Sequence, residues 1–385
     1  MRPAKRMAAM PASGTLKMLD LAKRLEREGR DIIHMEVGEP DFDTPEHVKR
    51  AAWEALEGGI TKYTPSAGLP ELREAIADHL SAKGIAASPK EVIVTPGAKH
   101  AILCAMAAAL DPGDEVIIPS PCWTYEGIAR LVGAGVVYVE ARQEDGFRPR
   151  VEAIQEKLSS KTKMLLLNYP NNPTGAVAER EDLEAIADLA MDHELWVLSD
   201  EIYDCLVYEG EHISIASLPG MRERTIYING FSKAYAMTGW RLGYAVAPAE
   251  LVAEMVKIQQ ASTTCPTSFV QAAGIAALQG PQDCVERMRE EYRKRRDVIV
   301  DGLNSIGGFE CHKPRGAFYA FPSIAGLEMK SMELCEYLLR EAGVAVVPGS
   351  EFGPYGEGYV RFSYATSMDN IKKAMERIEE AIARL

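Results

Sequence analysis

The sequence predicts an α/β fold with a largely parallel sheet, joined to a smaller α+β part. Short apolar runs alternate with amphipathic helical patterns from about residue 46 to 280. Strands that are buried on both faces of a parallel sheet have this apolar character. The last hundred or so residues differ, because charged helical segments at 285–304 and 369–385 flank short apolar runs at 317–321 and 359–363.

Seven apolar runs are the candidate strands of the parallel sheet. They cover residues 91–95, 115–119, 136–140, 163–168, 195–199, 225–229 and 244–247. Amphipathic helices such as 99–110 and 180–193 lie between them, and a helix over 16–29 precedes them. We therefore expect a large domain over 46–280 and a small domain formed by 1–45 and 281–385. The N-terminal helix is expected to pack on the small domain or on a partner subunit.

Composition excludes several classes of protein. The 385 residues are 47% hydrophobic and 26% charged, with 43 Lys and Arg against 56 Asp and Glu, a net charge of −13. Nucleic-acid binders normally carry a basic excess. The longest apolar run, 101–110, is too short to span a bilayer, and no signal-type apolar core follows the N-terminus. We predict a cytoplasmic protein that binds neither nucleic acid nor membranes.

The cysteines give no evidence for a metal site or a disulfide framework. All 7 are scattered, and no Cys-x-x-Cys spacing occurs. We expect buried free thiols.

The segment around Lys233 carries the most information. Lys233 follows Ser232 on a Gly/Ser turn after the run 225–229, and Arg241 comes eight residues later in a Gly-rich segment. A lysine that forms a Schiff base, beside an arginine that binds an anion, suits pyridoxal phosphate. The sequence therefore predicts this cofactor.

Distinctive residues follow the carboxyl ends of five candidate strands. They are Gly97, Trp123, Asn172, Asp200 and Lys233. In open α/β sheets ligands bind in the crevice at those ends, so we expect one shared cavity.

Two features of the sequence suit a phosphate. The amides of Ala98 and Lys99, after Gly97, open a helix, and helix N-termini bind anions. Arg241 offers a fork of donors for the same group, and its apolar neighbours predict a buried setting. The alternatives are a plain strand–helix turn and a surface arginine.

Other positions suit the cofactor ring. Asp200 is placed to pair with a protonated pyridine nitrogen, the alternative being a helix N-cap. Tyr203 would reach the phenolic oxygen of the ring, and Trp123 would stack on its face. Both are otherwise core aromatics.

A further group of residues suits the substrate or the phosphate. Arg361 lies inside an apolar strand, which is costly without an anionic partner. A substrate α-carboxylate would be such a partner, and a structural ion pair is the alternative. Asn172, in the turn-rich stretch 168–175, would donate to the ring oxygen and to the same carboxylate. The turn at 38–42 presents the Gly38 backbone, and the Tyr63 hydroxyl would reach a phosphate.

Cis peptide bonds are expected before Pro173 and Pro121, because both prolines lie in tight turns.

Together these motifs make the chain resemble a class I aminotransferase of PLP fold type I, in the branch of bacterial and archaeal aspartate aminotransferases. The resemblance runs from residues 38–42 to Arg361 and is carried by 171–175, Asp200 with Tyr203, and Lys233 with Arg241. It implies a mostly parallel seven-stranded sheet sandwiched by helices. It also implies a homodimer with shared active sites.

The resemblance further implies a role for each residue. Lys233 would form the Schiff base and move the substrate proton, Asp200 would hold the ring nitrogen, and Tyr203 and Asn172 would hold the phenolic oxygen. The phosphate would be held by the amides of Ala98 and Lys99, by Arg241, and by Tyr63 from the partner subunit. Trp123 would stack on the ring, and the α-carboxylate would contact Arg361, Asn172 and the Gly38 backbone.

The chain departs from the family pattern at one position. Many members carry a serine three residues before the lysine, where this chain has Gly230, and Ser232 is adjacent to the lysine instead. A phosphate contact from Ser232 therefore stays open.

The substrates expected are an amino acid and a 2-oxo acid, with aspartate and 2-oxoglutarate favoured. The resemblance to aspartate-type enzymes implies that Lys99, at the pocket edge, assists recognition of a distal carboxylate. The hydroxyls of Ser13 and Thr15 would add contacts. Alternatives are an aromatic, alanine or prephenate aminotransferase, or a β-lyase or cyclopropane-carboxylate synthase of the same fold. A PLP-sensing regulator is disfavoured because only one helix and a short basic tip precede residue 38. An inactive paralogue is disfavoured because Lys233, Asp200 and Arg361 are all present.

Overall fold

In the computed structural model we describe residue 7 and residues 14–385, without the side chains of residues 14–17. The helices, in chain order, are α1 (Gly14–Arg27), α2 (Glu46–Glu57), α3 (Pro70–Ala82), α4 (Ala98–Ala109), α5 (Glu126–Val132), α6 (Val151–Gln155), α7 (Arg180–Asp192), α8 (Ala249–Ser262), α9 (Ser268–Gln279), α10 (Asp283–Ser305), α11 (Ser331–Tyr337) and α12 (Met368–Ile382). The strands are β1 (Ile33–His34), β2 (Val92–Thr95), β3 (Glu115–Ser120), β4 (Gly135–Glu140), β5 (Thr162–Asn168), β6 (Trp196–Asp200), β7 (Thr225–Gly230), β8 (Gly243–Val246), β9 (Tyr319–Ala320), β10 (Val344–Ala345), β11 (Val347–Pro348) and β12 (Val360–Ser363).

The central element is a seven-stranded sheet in the order β2-β8-β7-β6-β5-β3-β4. The pairs from β4 through β7 are parallel, and β8 runs antiparallel to both β7 and β2. The predicted α/β class and the mostly parallel sheet are confirmed. Each predicted strand of this sheet is present, with ends that differ by one residue at most, as where β6 begins and ends one residue later than expected.

Both faces of the sheet are buried, which explains why its strands are apolar throughout. On one face Ile118, Leu166 and Leu198 share a core with α4 and α8. On the other face Ile117 and Leu167 pack with α7. The alternation of side chains between the two faces has the period of two that a strand requires.

The C-terminal part has its own core, which residues from the N-terminal region complete. β11, β12 and β9 form an antiparallel sheet, and β1 pairs in parallel with β10. Side chains of α1, α10 and α12 share one apolar cluster with these strands. On the basis of this shared core we propose the division into a large domain over 46–280 and a small domain formed by 1–45 and 281–385.

The C-terminal strands are shorter than the apolar runs that predicted them. The run 317–321 yields only β9, because Ala317 has a φ of +55° and cannot continue a strand.

Cis peptide bonds precede Pro121 and Pro173, as expected, and a third precedes Pro170, which was not expected.

All seven cysteines are free. Three of them are half-buried, which corrects the expectation of buried thiols throughout, because these side chains lie near the molecular surface; they are Cys205, Cys265 and Cys284.

No helix among the described residues has the length and apolar character that crossing a membrane requires. Across residues 14–385, no group of three or more His, Cys, Asp or Glu side chains is arranged to hold a metal ion.

Candidate active site

A cavity of about 530 Å³ lies at the carboxyl edge of the parallel strands, between the sheet and the C-terminal part. Segments that follow β2, β3, β5, β6 and β7 contribute to its wall, so the expected convergence of strand ends occurs. Of the residues predicted for the site, those that line this cavity are Gly38, Ala98, Lys99, Trp123, Asn172, Asp200, Tyr203, Lys233, Arg241 and Arg361. Tyr63 does not line it and is 86% exposed.

Lys233 lies just after β7 and points into the cavity. Its Nζ donates a hydrogen bond to the carbonyl of Gly38. Burial lowers the pKa of Lys233 to about 8; Glu39 raises it, and Arg361 lowers it further. The amine is therefore neutral more often than an ordinary lysine at neutral pH, and a neutral amine is the nucleophilic form.

Asp200 is the last residue of β6 and is 5% exposed. Its Oδ2 accepts a hydrogen bond of 2.7 Å from the Tyr125 hydroxyl, and its Oδ1 accepts one of 3.3 Å from the Ile202 amide. Burial raises the pKa of Asp200 to about 6. No helix begins at Asp200, which excludes the N-cap alternative. A buried carboxylate of this kind is stabilised by a cation, which a protonated ring nitrogen supplies.

Tyr203 lies one turn beyond Asp200 and is 4% exposed. Its hydroxyl is 2.7 Å from that of Tyr319, and the two share a hydrogen bond. Sequence reasoning missed Tyr319 and Tyr125. The sequence offers one weak signal for each: Tyr319 is a tyrosine inside the apolar run 317–321, and Tyr125 lies two residues after Trp123.

The start of α4 and Arg241 form a cradle for an anion. Gly97 has a φ of +85° and precedes Ala98, the first residue of the helix, whose first amides have no partner within a helix. A Cβ on Gly97 would lie 2.9 Å from Cζ of Arg241, so a side chain there would displace the guanidinium from its present position. The Nη1 of Arg241 donates to the Thr238 carbonyl at 2.7 Å, which orients the fork.

Arg241 is exposed, and the expectation that it is buried is wrong. Its backbone is left-handed, with a φ of +55°, at the end of a short turn. This conformation directs the side chain into the open cavity while Leu242 continues into the buried part of the sheet.

Gly230, the position where many family members carry a serine, has no room for a side chain. It pairs with Gly243 across β7 and β8, and a Cβ there would lie 2.9 Å from the Cα of Gly243 and 3.0 Å from the Leu242 carbonyl oxygen. Ser232 is buried and lines the cavity.

Lys99 and Trp123 form one edge of the cavity. The Nζ of Lys99 lies 4.5 Å from the centre of the Trp123 ring, within the range of a cation–π contact. Burial lowers the pKa of Lys99, and the charge of Arg241 lowers it further.

Arg361, on β12, is a buried cation that is 4% exposed. Its Nη1 donates to Asn172 Oδ1 at 3.0 Å, its Nη2 donates to the Glu36 carbonyl, and its Nε is buried without a hydrogen-bond partner. Within residues 14–385 we find no carboxylate in a salt bridge with Arg361, so the alternative of a structural ion pair is unsupported.

Ser13 and the Thr15 side chain, which were expected to add substrate contacts, lie outside the described residues.

These groups fit pyridoxal phosphate. The cavity brings together an amine of lowered pKa, a buried carboxylate and an anion cradle that a Cβ at Gly97 would fill. The fold and this set of groups are those of a pyridoxal-phosphate-dependent enzyme.

Comparison with known proteins agrees with this class. The chain belongs to the family described as aminotransferase class I and II, whose profile matches residues 30–378. It is 47% identical to the aspartate aminotransferase of Pyrococcus abyssi over 95% of this chain and 94% of that one. It is 46% identical to the aromatic-amino-acid aminotransferase 2 of Thermococcus litoralis over 98% and 97% of the two chains.

A solved structure is similar over the same extent. The aspartate aminotransferase of Thermus thermophilus with maleate superposes with a TM-score of 0.95 at 45% identity, covering 99% of this chain and 100% of that chain. The protein is therefore a pyridoxal-phosphate-dependent aminotransferase (EC 2.6.1.-) that acts on amino acids.

Proposed function

We propose that this aminotransferase moves an amino group between L-aspartate and 2-oxoglutarate by a ping-pong mechanism. One observation carries the proposal: the cation of Lys99 at the cavity edge, 4.5 Å from the Trp123 ring. A cation there would bind the distal carboxylate of a dicarboxylic substrate.

The charges of the cavity wall support this reading. Among the described lining residues the Lys and Arg side chains are Lys99, Lys233, Arg241 and Arg361. Lys233 is assigned to the covalent bond with the cofactor, Arg241 to its phosphate and Arg361 to the substrate α-carboxylate. Lys99 is then available for a second carboxylate.

The cofactor would be held by residues already described. Arg241 and the amides of Ala98 and Lys99 would bind its phosphate, Asp200 would hold a proton at its ring nitrogen, and Trp123 would cover one face of the ring. When bound, pyridoxal phosphate supplies an aldehyde that condenses with amines and a protonated ring that draws electrons from the amino acid Cα. Tyr203 and Asn172 would donate to its phenolic oxygen.

Lys233 has two tasks in this scheme. Its neutral amine would hold the cofactor in the absence of substrate. Once the substrate amine has taken that place, Nζ of Lys233 would remove the proton from the substrate Cα and carry it through the 1,3-proton shift. The pKa of about 8, lowered by burial, suits an amine that gains and loses a proton near neutral pH.

Arg361 would orient the substrate. Its fork binds the α-carboxylate together with Asn172, and its rigid setting fixes the Cα–H bond relative to Lys233. The guanidinium lies 4.6 Å from the Tyr319 ring centre and 5.0 Å from that of Phe352, which leaves it few alternative positions.

The aromatic substrates of the Thermococcus relative define a second candidate function. The aromatic side chains of Trp123, Tyr319 and Phe352 line the cavity and would contact a phenyl ring. An aromatic, alanine or prephenate aminotransferase would use the same catalytic residues.

Half-reactions with single amino acids test the proposal. The purified holoenzyme is mixed with aspartate, glutamate, alanine, phenylalanine or cysteine without an oxo acid, while the absorbance of the bound cofactor is followed. We expect aspartate to react fastest and to release one equivalent of oxaloacetate per site. Phenylalanine as the fastest donor would favour the aromatic function. Accumulation of pyruvate or ammonia with unchanged absorbance would indicate a β-lyase.

The substitution Lys99→Ala tests the carrying observation. We expect kcat/KM for aspartate to fall about 10- to 100-fold, with phenylalanine changed less than about twofold, because only aspartate loses a charge-assisted hydrogen bond. The matched control is Lys90→Ala, an exposed lysine that precedes β2 and so lies at the opposite end of that strand. An equal loss for both amino acids would refute the role of Lys99.

A further inference from the structure

His34 and Glu36 form an ion pair behind the cavity wall, four and two residues before Gly38, respectively. Glu36 is 0% exposed, and its Oε1 accepts a hydrogen bond of 2.7 Å from His34 Nδ1. Neither residue lines the cavity. A carboxylate buried to this extent is stable only with a compensating charge or with hydrogen bonds.

The same glutamate is joined to the buried arginine of the cavity. The Glu36 carbonyl accepts a hydrogen bond from Arg361 Nη2, and Glu36 Oε2 and Arg361 Nε are both buried without hydrogen-bond partners. Burial lowers the pKa of Arg361, and the charge of Glu36 acts against this effect. Glu36 therefore contacts Arg361 through its main chain and influences it through its charge.

His34 supplies the charge that balances Glu36. Its hydrogen bond to Glu36 raises the pKa of His34 to about 9, so the imidazole is protonated at neutral pH. The second ring nitrogen, Nε2, forms a hydrogen bond of 3.0 Å with Glu26 Oε1 on α1. The Glu26 side chain is 42% exposed. The buried pair of His34 and Glu36 therefore carries no net charge. The contact between His34 and Glu26 lies at the surface and contributes little to stability.

We propose that His34 and Glu36 are a positioning pair for Arg361, which holds the guanidinium through the Glu36 carbonyl and leaves its positive charge to the substrate α-carboxylate. Without the charge of His34, the Glu36 carboxylate would compete with the substrate for the same cation. This inference rests on the proposed role of Arg361 and deepens it, because it names what keeps that arginine available.

The test uses the holoenzyme with His34→Gln, Glu36→Gln and the double variant. For His34→Gln we expect the KM for aspartate and the inhibition constant of maleate to rise about tenfold, with kcat within about twofold, because an uncompensated carboxylate weakens binding and not the later proton transfer. Glu36→Gln alone should leave both constants within about threefold of the wild type. The double variant should recover the affinity that His34→Gln loses, which is the signature of a coupled pair.

Two further variants separate this idea from its alternatives. Glu26→Gln removes the surface contact of His34 and retains the buried pair, so it should leave the KM unchanged. Arg361→Lys tests the proposed function itself: an unchanged KM there would remove Arg361 from the substrate site.

A raised KM for Arg361→Lys with no effect of His34→Gln would overturn the positioning pair alone. So would a double variant as weak as His34→Gln, since that result indicates a packing defect. The absorbance of the bound cofactor verifies that each variant retains an assembled site. If His34→Gln does not fold, His34→Lys provides the second measurement, because retention of a cation predicts a KM near that of the wild type.

Discussion

Two buried aspartates, four residues apart, show how environment sets the behaviour of a single residue. Burial raises the pKa of Asp200 to about 6, and its partners are the Tyr125 hydroxyl and a backbone amide. Burial also acts on Asp204, but the ammonium of Lys83, at 2.7 Å, holds the pKa of Asp204 at about 2. Among the described residues Asp200 is thus a carboxylate with no salt-bridge partner, and the more distant charge of Lys233 favours its ionised form. This setting suits a group that would pair with the cofactor ring.

This contrast leads to a prediction for Asp200→Asn in the cofactor-free protein. Because the folded-state pKa lies above the unfolded value, the ionised carboxylate destabilises the fold above pH 6, and this penalty disappears as the pH falls toward 4. We expect Asp200→Asn to raise the free energy of unfolding at pH 7 by about 1–3 kcal/mol, with the gain shrinking below pH 6. Urea unfolding between pH 4 and 8 measures this.

Asp204→Asn is the matched control and should have the opposite sign. Its pKa is lowered in the fold, so its stabilising effect is present at pH 7 and is lost as the pH falls toward 2.

In the holoenzyme Asp200→Asn should reduce kcat at least about 100-fold, since the proton on the ring nitrogen loses its anionic partner. A stability unchanged at every pH would contradict the view that Asp200 is a strained functional group.

At the scale of an element, the start of α4 shows why one glycine is needed. Gly97 has a positive φ, and a Cβ placed on it would lie 2.9 Å from Cζ of Arg241. The same turn brings the helix amides and Arg241 to one point. Gly243, beneath it on β8, also has no space for a Cβ, which would lie 3.0 Å from the Cα of Ala98. The cradle is therefore built by close backbone packing as well as by charge.

Gly97→Ala tests this element. We expect the affinity for pyridoxal phosphate to fall about tenfold or more, because the methyl group displaces Arg241 and the turn is strained. Equilibrium titration of the cofactor-free protein with pyridoxal phosphate, followed by absorbance, gives the dissociation constant.

Gly84→Ala is the control, since Gly84 has a φ of +78° with nothing within 4 Å of a Cβ. It should lose stability by about 1 kcal/mol and retain its cofactor affinity. Equal losses of affinity in both variants would assign the effect to backbone strain.

At the scale of the whole molecule, one stretch of the chain exposes apolar side chains. Trp53 is 62% exposed, Leu56 43%, Ile60 41% and Tyr63 86%. Clusters of this kind are typical of protein interfaces. We propose that this stretch contacts a second copy of the chain, and that Tyr63 reaches the phosphate in the partner's cavity. Such a contact would explain why Tyr63, a residue predicted for the site, lies outside the cavity of its own chain.

Mixing two variants with different defects tests the shared site. Lys233→Ala removes the lysine that we propose binds the cofactor. Tyr63→Ala removes the phosphate contact that would come from the other subunit. Each variant alone should be deficient, Lys233→Ala in activity and Tyr63→Ala in cofactor affinity by about tenfold. After unfolding and refolding of the mixture, hybrid dimers contain one site with both native residues. We expect activity at low cofactor concentration to return in the mixture, in proportion to the hybrid fraction. Activity equal to that of Tyr63→Ala alone would place Tyr63 outside any shared site.

The sequence by itself determined the sheet and most of the cavity wall. The strands of the main sheet were recognisable because both of their faces are buried, and the residues after them were recognisable because ligands bind at the carboxyl ends of parallel strands. Lys233, Asp200 and Asn172 were found in this way. Arg361 was found by a different signal, because a cation inside an apolar run is costly without an anionic partner.

Only the tertiary structure decided which groups surround these residues. The bond from Tyr125 to Asp200 joins positions 75 residues apart, and the bond from Arg361 to the Glu36 carbonyl spans 325 residues. Periodicity reports the environment of a residue along its own helix or strand, and it carries no information about contacts at such separations. The exposure of Arg241, the lack of space at Gly230 and the pairing of His34 with Glu36 were therefore set by packing between segments that are distant in the chain.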